Sequence, residues 1–277
     1  MSWALVLGPA AALVLIVLAR RERMGAVERW GMPVAVAIIG VCLWHLACAL
    51  GFVDSDTPTP GATALALVDL TRSNRLWSDS IASLYRVTWG FFLAAAVGIP
   101  LGLVVGWSTR SYAALNPIIQ GLRPISPIAW IPMSILWFGI GDGAGIFLIF
   151  YSAFFPITVG TVAAVRNISR VHQRSAMNFG LTGIPLFRRV VLPAALPQII
   201  TSLRIALGVA WLVIVAAEMV GMDSGLGYLI NDARNMGKRY DLVAATMIVI
   251  GLIGIVLDAL IRRLERFDEV RWGYGER

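Results

Sequence analysis

Charge is scarce in this 277-residue chain. Only 14% of its residues are Asp, Glu, Lys or Arg, against about a quarter in an ordinary soluble domain. That excludes a disordered segment, a coiled coil and a typical soluble enzyme. Lysine is nearly missing: Lys238 is the single example, so 22 of the 23 bases are arginine. Histidine and cysteine occur twice each. Cys42 and Cys48 share one apolar run and read as free thiols, not as a disulfide or metal framework. His45 and His172 are isolated, and no His, Cys, Asp and Glu cluster has metal-ligand spacing. Zinc chemistry, intramembrane proteolysis and a lipid-transferase site therefore lack a constellation. The phosphate-loop pattern G-x-x-x-x-G-K-[ST] is also missing, since Lys238 follows Gly237 but precedes Arg239. The chain is not expected to hydrolyse ATP or carry a cofactor or metal of its own.

What is present is apolar: 58% of residues are hydrophobic. A hydrocarbon core about 30 Å thick takes about 20 apolar residues as helix. Seven runs qualify: 3–19, 33–53, 84–107, 112–140, 143–165, 198–220 and 242–261. The chain is expected to be an all-α polytopic membrane protein. Its first run resembles a signal peptide in length, but Arg20, Arg21 and Arg23 follow it and no charge precedes it, so it reads as an uncleaved helix. The formal charge of +7 could suit nucleic acid. Here the bases sit in loops between apolar runs, so orientation explains them better and no nucleic-acid partner is expected. With the N-terminus outside and the C-terminus inside, segments 20–32, 108–111, 166–197 and 262–277 hold fifteen bases. The opposite segments 54–83 and 221–241 hold five, which satisfies the positive-inside rule.

A boundary is expected near residue 80. Residues 1–80 hold two peripheral helices and an amphipathic piece over 62–80, with Leu65, Val68 and Trp77 on one side. Residues 81–267 hold five spans, and 268–277 form a cytoplasmic tail. Small residues recur every fourth position in the third span: Gly90, Ala94, Gly98, Gly102 and Gly106. Such a stripe lets a second helix approach closely. Pro100 is expected to kink that span. The fourth run carries Pro117, Pro124, Pro127 and Pro132, then Gly139, Gly141 and Gly143. It cannot be one straight helix, and it reads either as a bend against a neighbour or as part of a solute path.

Arg123 and Arg204 fall inside apolar runs, where an arginine costs about 2.5–3.5 kcal/mol by insertion scales. They lend positive potential to a path, snorkel to the surface, or pair with a carboxylate or carbonyls. Glu218, Asp142 and Asp258 lie near span ends, where they cap or pair locally. The loop 166–197 holds Arg166, Arg170, Arg174, Arg188 and Arg189 with no acid. The first three are spaced to form one basic helical face. Gly180 is expected to stop that helix and Thr182 to cap a second one that Pro193 ends. Ile168, Val171, Phe179, Leu186 and Phe187 make the loop too apolar to be purely solvated. It docks either anionic lipid headgroups or a cytosolic protein.

This loop resembles the signature of permease subunits of binding-protein-dependent ABC importers: E-A-A, three residues, G, nine residues, I, one residue, L-P. The chain reads Arg174-Ser175-Ala176, then Gly180, then Val190, Val191, Leu192 and Pro193 at that spacing, with Arg174 where the pattern has glutamate. Further stretches are similar to the nitrate/sulfonate/taurine/bicarbonate branch: Ser83–Val87, Leu122–Pro132, Trp137–Gly139, Phe154–Ile157, Leu203–Gly208, Ala216–Met219 and Gly225–Tyr228. The resemblance runs from about Leu76 to Arg266, and the first helix looks like an addition to the usual six spans.

The resemblance implies a five-helix permease core with two additional N-terminal helices, in a bacterial inner membrane. It implies a second permease copy, cytosolic ATPase subunits that hold ATP and Mg, and a periplasmic or lipid-anchored substrate-binding protein. Coupling to the ATPase is expected through Arg170, Arg174, Ser175, Ala176, Gly180, Leu181, Thr182, Gly183, Leu192 and Pro193. Arg123, Ser126, Trp130, Arg204 and Glu218 are expected along the path of a small oxyanion or organic acid. The competing reading is a stand-alone secondary transporter or channel, which would need no basic docking loop.

Overall fold

The computed structural model describes residues 26–54 and 56–264. Every regular element among them is helical. The run 3–19 and the tail 268–277 lie outside the described residues. The chain divides into two compact units, residues 1–66 and 67–277.

In the first unit, α1 spans Ala26–Ala49. Val34, Ile38, Val41 and Leu46 on it are exposed. Cys42 and Cys48 are free thiols. α2, Pro60–Arg72, starts with proline at its first position. There the missing N–H costs nothing. Thr59 caps it, its hydroxyl accepting from the Ala62 N–H. Leu65 and Val68 are exposed along it.

The second unit holds the end of α2 from Leu67 and then α3, Asn74–Trp107, a 34-residue helix that contains Pro100 without interruption. The division between the two units falls at 66/67, within α2, and residue 80 lies inside α3. α4 spans Thr109–Leu122 and is capped by Ser108, whose hydroxyl accepts from Ser111 N–H. The chain then breaks at Pro124 and resumes as a 3₁₀ turn, Pro127–Trp130, and α5, Ile131–Phe138. Gly139 ends α5 at φ +76°, and Gly141 at φ +131° precedes α6, Asp142–Arg166. The run expected to be broken is three pieces: Pro124 and Pro127 remove N–H groups and disfavour helix in the residues before them, while Pro117 lies inside α4 and Pro132 in the first turn of α5.

α7 spans Arg170–Asn178. A single helical turn, Gly183–Leu186, and a π-helical segment, Phe187–Val191, lead into α8, Leu192–Gly221. Pro193 therefore begins a long helix and does not end a short one. The wider π turn, with Leu192 N–H donating to the Phe187 carbonyl, accommodates the chain just before the proline. α9, Leu226–Asn235, lies in the segment 221–241 between the last two apolar runs. α10, Tyr240–Leu264, closes the described chain. Among the described residues, four helical stretches are long and apolar enough to cross a membrane: Asn74–Trp107, Asp142–Arg166, Gly183–Gly221 and Tyr240–Arg263. Val34–Ala49 and Pro127–Phe138 are shorter apolar helices.

The core lies where α3, α6 and α8 meet, around Ala94, Ile149, Ala153, Ile157, Ala206, Ala210 and Ile214. The small-residue stripe of α3 does what its spacing predicts. Gly90 lies against Ile149, Gly98 against Thr158, Gly102 against Thr161 and Gly106 against Val165. Numbers rise together on both helices, so α3 and α6 run parallel. α8 runs the other way, with Ser202 filling the space beside Gly160. The α8–α10 seam carries a Trp211 Nε1–H bond to the Ile250 carbonyl at 3.2 Å.

Candidate functional site: an exposed helical loop and a buried ionic cluster

The loop after α6 is built by caps. Ser169 accepts from Val171 N–H to start α7. At its end, Leu181 N–H reaches the Ala176 carbonyl at 3.1 Å and Gly180 N–H the Met177 carbonyl at 2.9 Å, with Gly180 at φ +82°. That pair of bonds is a Schellman motif, which needs a left-handed residue after the cap. Thr182 is extended before the next turn but makes no side-chain capping bond; Gly183 follows at φ +59°. Arg166 is the last residue of α6, not part of a basic face on α7, because the helix breaks between them. Its guanidinium lies 3.8 Å from the centre of the Tyr112 ring.

Apolar side chains divide the loop into a fastened and a free half. Leu186 and Val191 are buried; Val191 joins Ala164, Val165, Ala195 and Ile199, with Ile168 and Phe187 against them. Phe187 meets Trp107 edge-on at 5.3 Å. Val171, Phe179 and Ile184 are instead exposed, Phe179 by 86%. Arg174, Ser175, Thr182, Arg188 and Arg189 are exposed with them, and Ala176 is buried under α7. Gly180 has open space where a Cβ would go, so replacing it tests backbone conformation alone. Gly180→Val is expected to cost about 1–2 kcal/mol in the loop, while Gly180→Asn is tolerated. Limited proteolysis at 166–191 in the purified chain should show faster cleavage for Val only.

A second site lies at the opposite end of the bundle. Arg86 on α3 is 1% exposed, and all three of its guanidinium nitrogens donate hydrogen bonds. Nε donates to Asp142 at 2.7 Å, Nη1 to Glu218 at 3.0 Å and to the Ser224 carbonyl at 2.8 Å, and Nη2 to Ser224 Oγ at 2.7 Å. Glu218, also 1% exposed, accepts from Ser83 Oγ and from Gly227 N–H. Ser83 Oγ accepts from Leu226 N–H, and Asp79 from Gly225 N–H. Arg75 pairs with Asp232 on α9. Four elements are thus tied together: α3, the start of α6, the end of α8, and α9.

The two glycines of Gly225-Leu226-Gly227 have a steric reason. A Cβ on Gly225 would overlap the Glu218 carboxylate, and one on Gly227 the Val215 carbonyl. From Arg86 to Trp107 is 21 residues, about 31 Å of helix at 1.5 Å per residue. The ionic cluster and the loop are one hydrocarbon thickness apart.

The residues expected along a path fall into two groups. Arg123 and Ser126 are exposed at the break between α4 and α5. Trp130 follows them, half-buried against Trp137, Phe147 and Tyr151 at ring distances of 5.8, 6.3 and 5.4 Å. Its indole N–H is buried with no acceptor among the described residues. Arg204 and Glu218 lie apart from these. Arg204 pairs with Asp258 at 2.6 Å, and Asp258 is shared with Arg262 at 2.8 Å. Sequence reasoning placed Asp142 merely near a span end and Arg86 within the Ser83–Val87 stretch. Their partnership across 56 positions carries no local signal.

Comparison with known proteins agrees with this architecture. Residues 98–267 match the family of binding-protein-dependent transport system inner membrane components. The bicarbonate transport system permease of Synechococcus elongatus is 35% identical over 250 residues, covering 85% of this chain and 88% of its own. The taurine transport system permease of Escherichia coli is 38% identical over 191 residues, 69% of each chain. A bacterial alginate ABC transporter, solved with a pentasaccharide-bound periplasmic protein, superposes with a TM-score of 0.59 over 96% of this chain and 98% of its own, at 16% identity. The chain belongs to the inner membrane components of binding-protein-dependent transport systems, as an ABC importer permease of the nitrate, sulfonate, taurine and bicarbonate branch.

Proposed function

We propose that the chain forms the membrane path of an ATP-driven importer for a small oxyanion or organic acid. A separate ATPase drives it through the 166–197 loop. The observation that carries this reading is the loop itself: its helix α7 capped at both ends, anchored by Leu186 and Val191, and presenting Phe179 and Ile184 outward. A helix–turn so fastened transmits a push to α6 and α8, the helices it joins. Arg170, Arg174, Ser175, Ala176, Gly180, Leu181, Thr182 and Gly183 form its docking part; Leu192 and Pro193 seat it on α8.

The orientation that suits it has the loop in the cytosol and the Arg86 cluster at the outer surface, where a binding protein delivers solute. Seven spans in a bacterial inner membrane, with two copies of the chain around the path, complete the reading. Arg123, Ser126 and Trp130 line the path. Arg204 and Glu218 are structural, since each carries its own opposite charge. The binding protein does most of the selecting.

A secondary transporter would want a mid-span carboxylate free to take a proton or cation. Glu218 is instead bonded to Arg86, Ser83 and Gly227. Reconstitution into liposomes separates the two readings. Uptake is expected only with ATPase, binding protein and ATP together, and the purified chain alone shows no ATPase activity above background. Solute uptake by the chain alone, driven by an ion gradient, would sink the proposal.

A further inference from the structure

The loop's free half is basic as well as apolar. Arg174, Arg188 and Arg189 are exposed and make no hydrogen bond or ion pair among the described residues. Residues 166–197 contain no Asp or Glu at all. Arg166 is held over the Tyr112 ring. Arginines in so small an area repel one another, and a desolvated surface of one sign needs the opposite sign across from it. The apolar side chains Val171, Phe179 and Ile184 stand on the same exposed half. A lipid headgroup layer satisfies the charge but leaves Phe179 projecting from a capped turn with no pocket to enter. A protein groove satisfies both.

We propose that the socket receiving this loop is acidic: a groove on the ATPase subunit with Asp and Glu facing Arg174, Arg188 and Arg189, and an apolar pocket for Phe179. This rests on the loop being the ATPase dock. It further states that the charge on the socket is opposite to the one that a glutamate at position 174 would select. Specificity follows: an ATPase whose groove is basic is refused by like-charge contact.

The test uses the whole transporter, purified in detergent through a tag on this chain, with the retained ATPase subunit quantified by mass spectrometry. Wild-type retention should fall about tenfold or more as salt rises from 50 to 500 mM, because the contact is charge-assisted and screened. R174E/R188E/R189E should retain about tenfold less ATPase at low salt, with unchanged melting of the permease, while R174K/R188K/R189K retains it. Equal retention by wild type and the charge-reversed variant at every salt concentration overturns the acidic socket. If Phe179→Ala alone then loses the ATPase, docking at the loop survives without the charge. If Phe179→Ala and the reversal are both neutral, the docking reading fails as well. Loss of co-purifying phosphatidylglycerol on reversal, with ATPase retention unchanged, assigns the arginines to lipid and also overturns the proposal.

Discussion

Arg86→Gln is expected to destabilise the folded chain by about 3–5 kcal/mol, because it leaves Glu218 buried at 1% exposure without a countercharge. A buried pair contributes little net stability when intact, since its desolvation cost offsets most of its attraction. Breaking one side is what costs. The double variant Arg86→Gln/Glu218→Gln should therefore recover a large part of the loss, and its coupling energy should exceed about 1 kcal/mol. Denaturant titration of the detergent-solubilised chain, run as a double-mutant cycle, measures this. Additive single and double variants would mean that the cluster is a set of independent surface contacts. The expected functional consequence is specific. The N–H groups of Gly225, Leu226 and Gly227 donate to Asp79, Ser83 and Glu218, and these bonds fix the start of α9. Arg86→Gln protein that still folds should expose amides 222–230 to hydrogen exchange before those of α3 or α6.

That cluster shows where the sequence stops being readable. Arg86 and Glu218 are 132 positions apart, and each alone reads as a charge at a helix end. Only the antiparallel return of α8 beside α3 brings them together. Arg204 shows the same limit: snorkelling, a path role and pairing with some carboxylate or carbonyl are all open to it in the sequence, and only the packing of α10 beside α8 supplies Asp258 as the partner. Periodic and conformational signals fared better, because they act within one or two turns. The broken run after Leu122 was legible from its prolines and glycines, and the end of α7 from Gly180. Pro193 misled because a proline rule written for α-helix assumes i→i−4 bonds. The π segment before it changes that spacing, and nothing local in Phe187–Val191 announces such a segment.

Gly102→Ile is expected to be among the most damaging single changes in the membrane-spanning part. A Cβ at position 102 would stand 2.6 Å from Thr161 Cβ and 2.8 Å from the Thr158 carbonyl. The second neighbour is backbone, so no rotamer change relieves it, and α3 and α6 must separate. Overpacking of this kind costs about 1–3 kcal/mol when the core can shift. Here the stripe continues at Gly98 and Gly106, so parting the helices at one point loosens the contacts on both sides. The apolar drive that would restore them in water is missing in lipid. Thermal unfolding in detergent should fall by several degrees or the chain should fail to accumulate, and Gly90→Ile should behave alike against Ile149. Gly208→Ala is the matched control, a helical glycine with nothing within 4 Å of the new methyl. It should be neutral or stabilise by up to about 1 kcal/mol through helix propensity. If Gly102→Ile melts with Gly208→Ala, the close approach of α3 to α6 is not what holds the bundle, and the stripe is incidental.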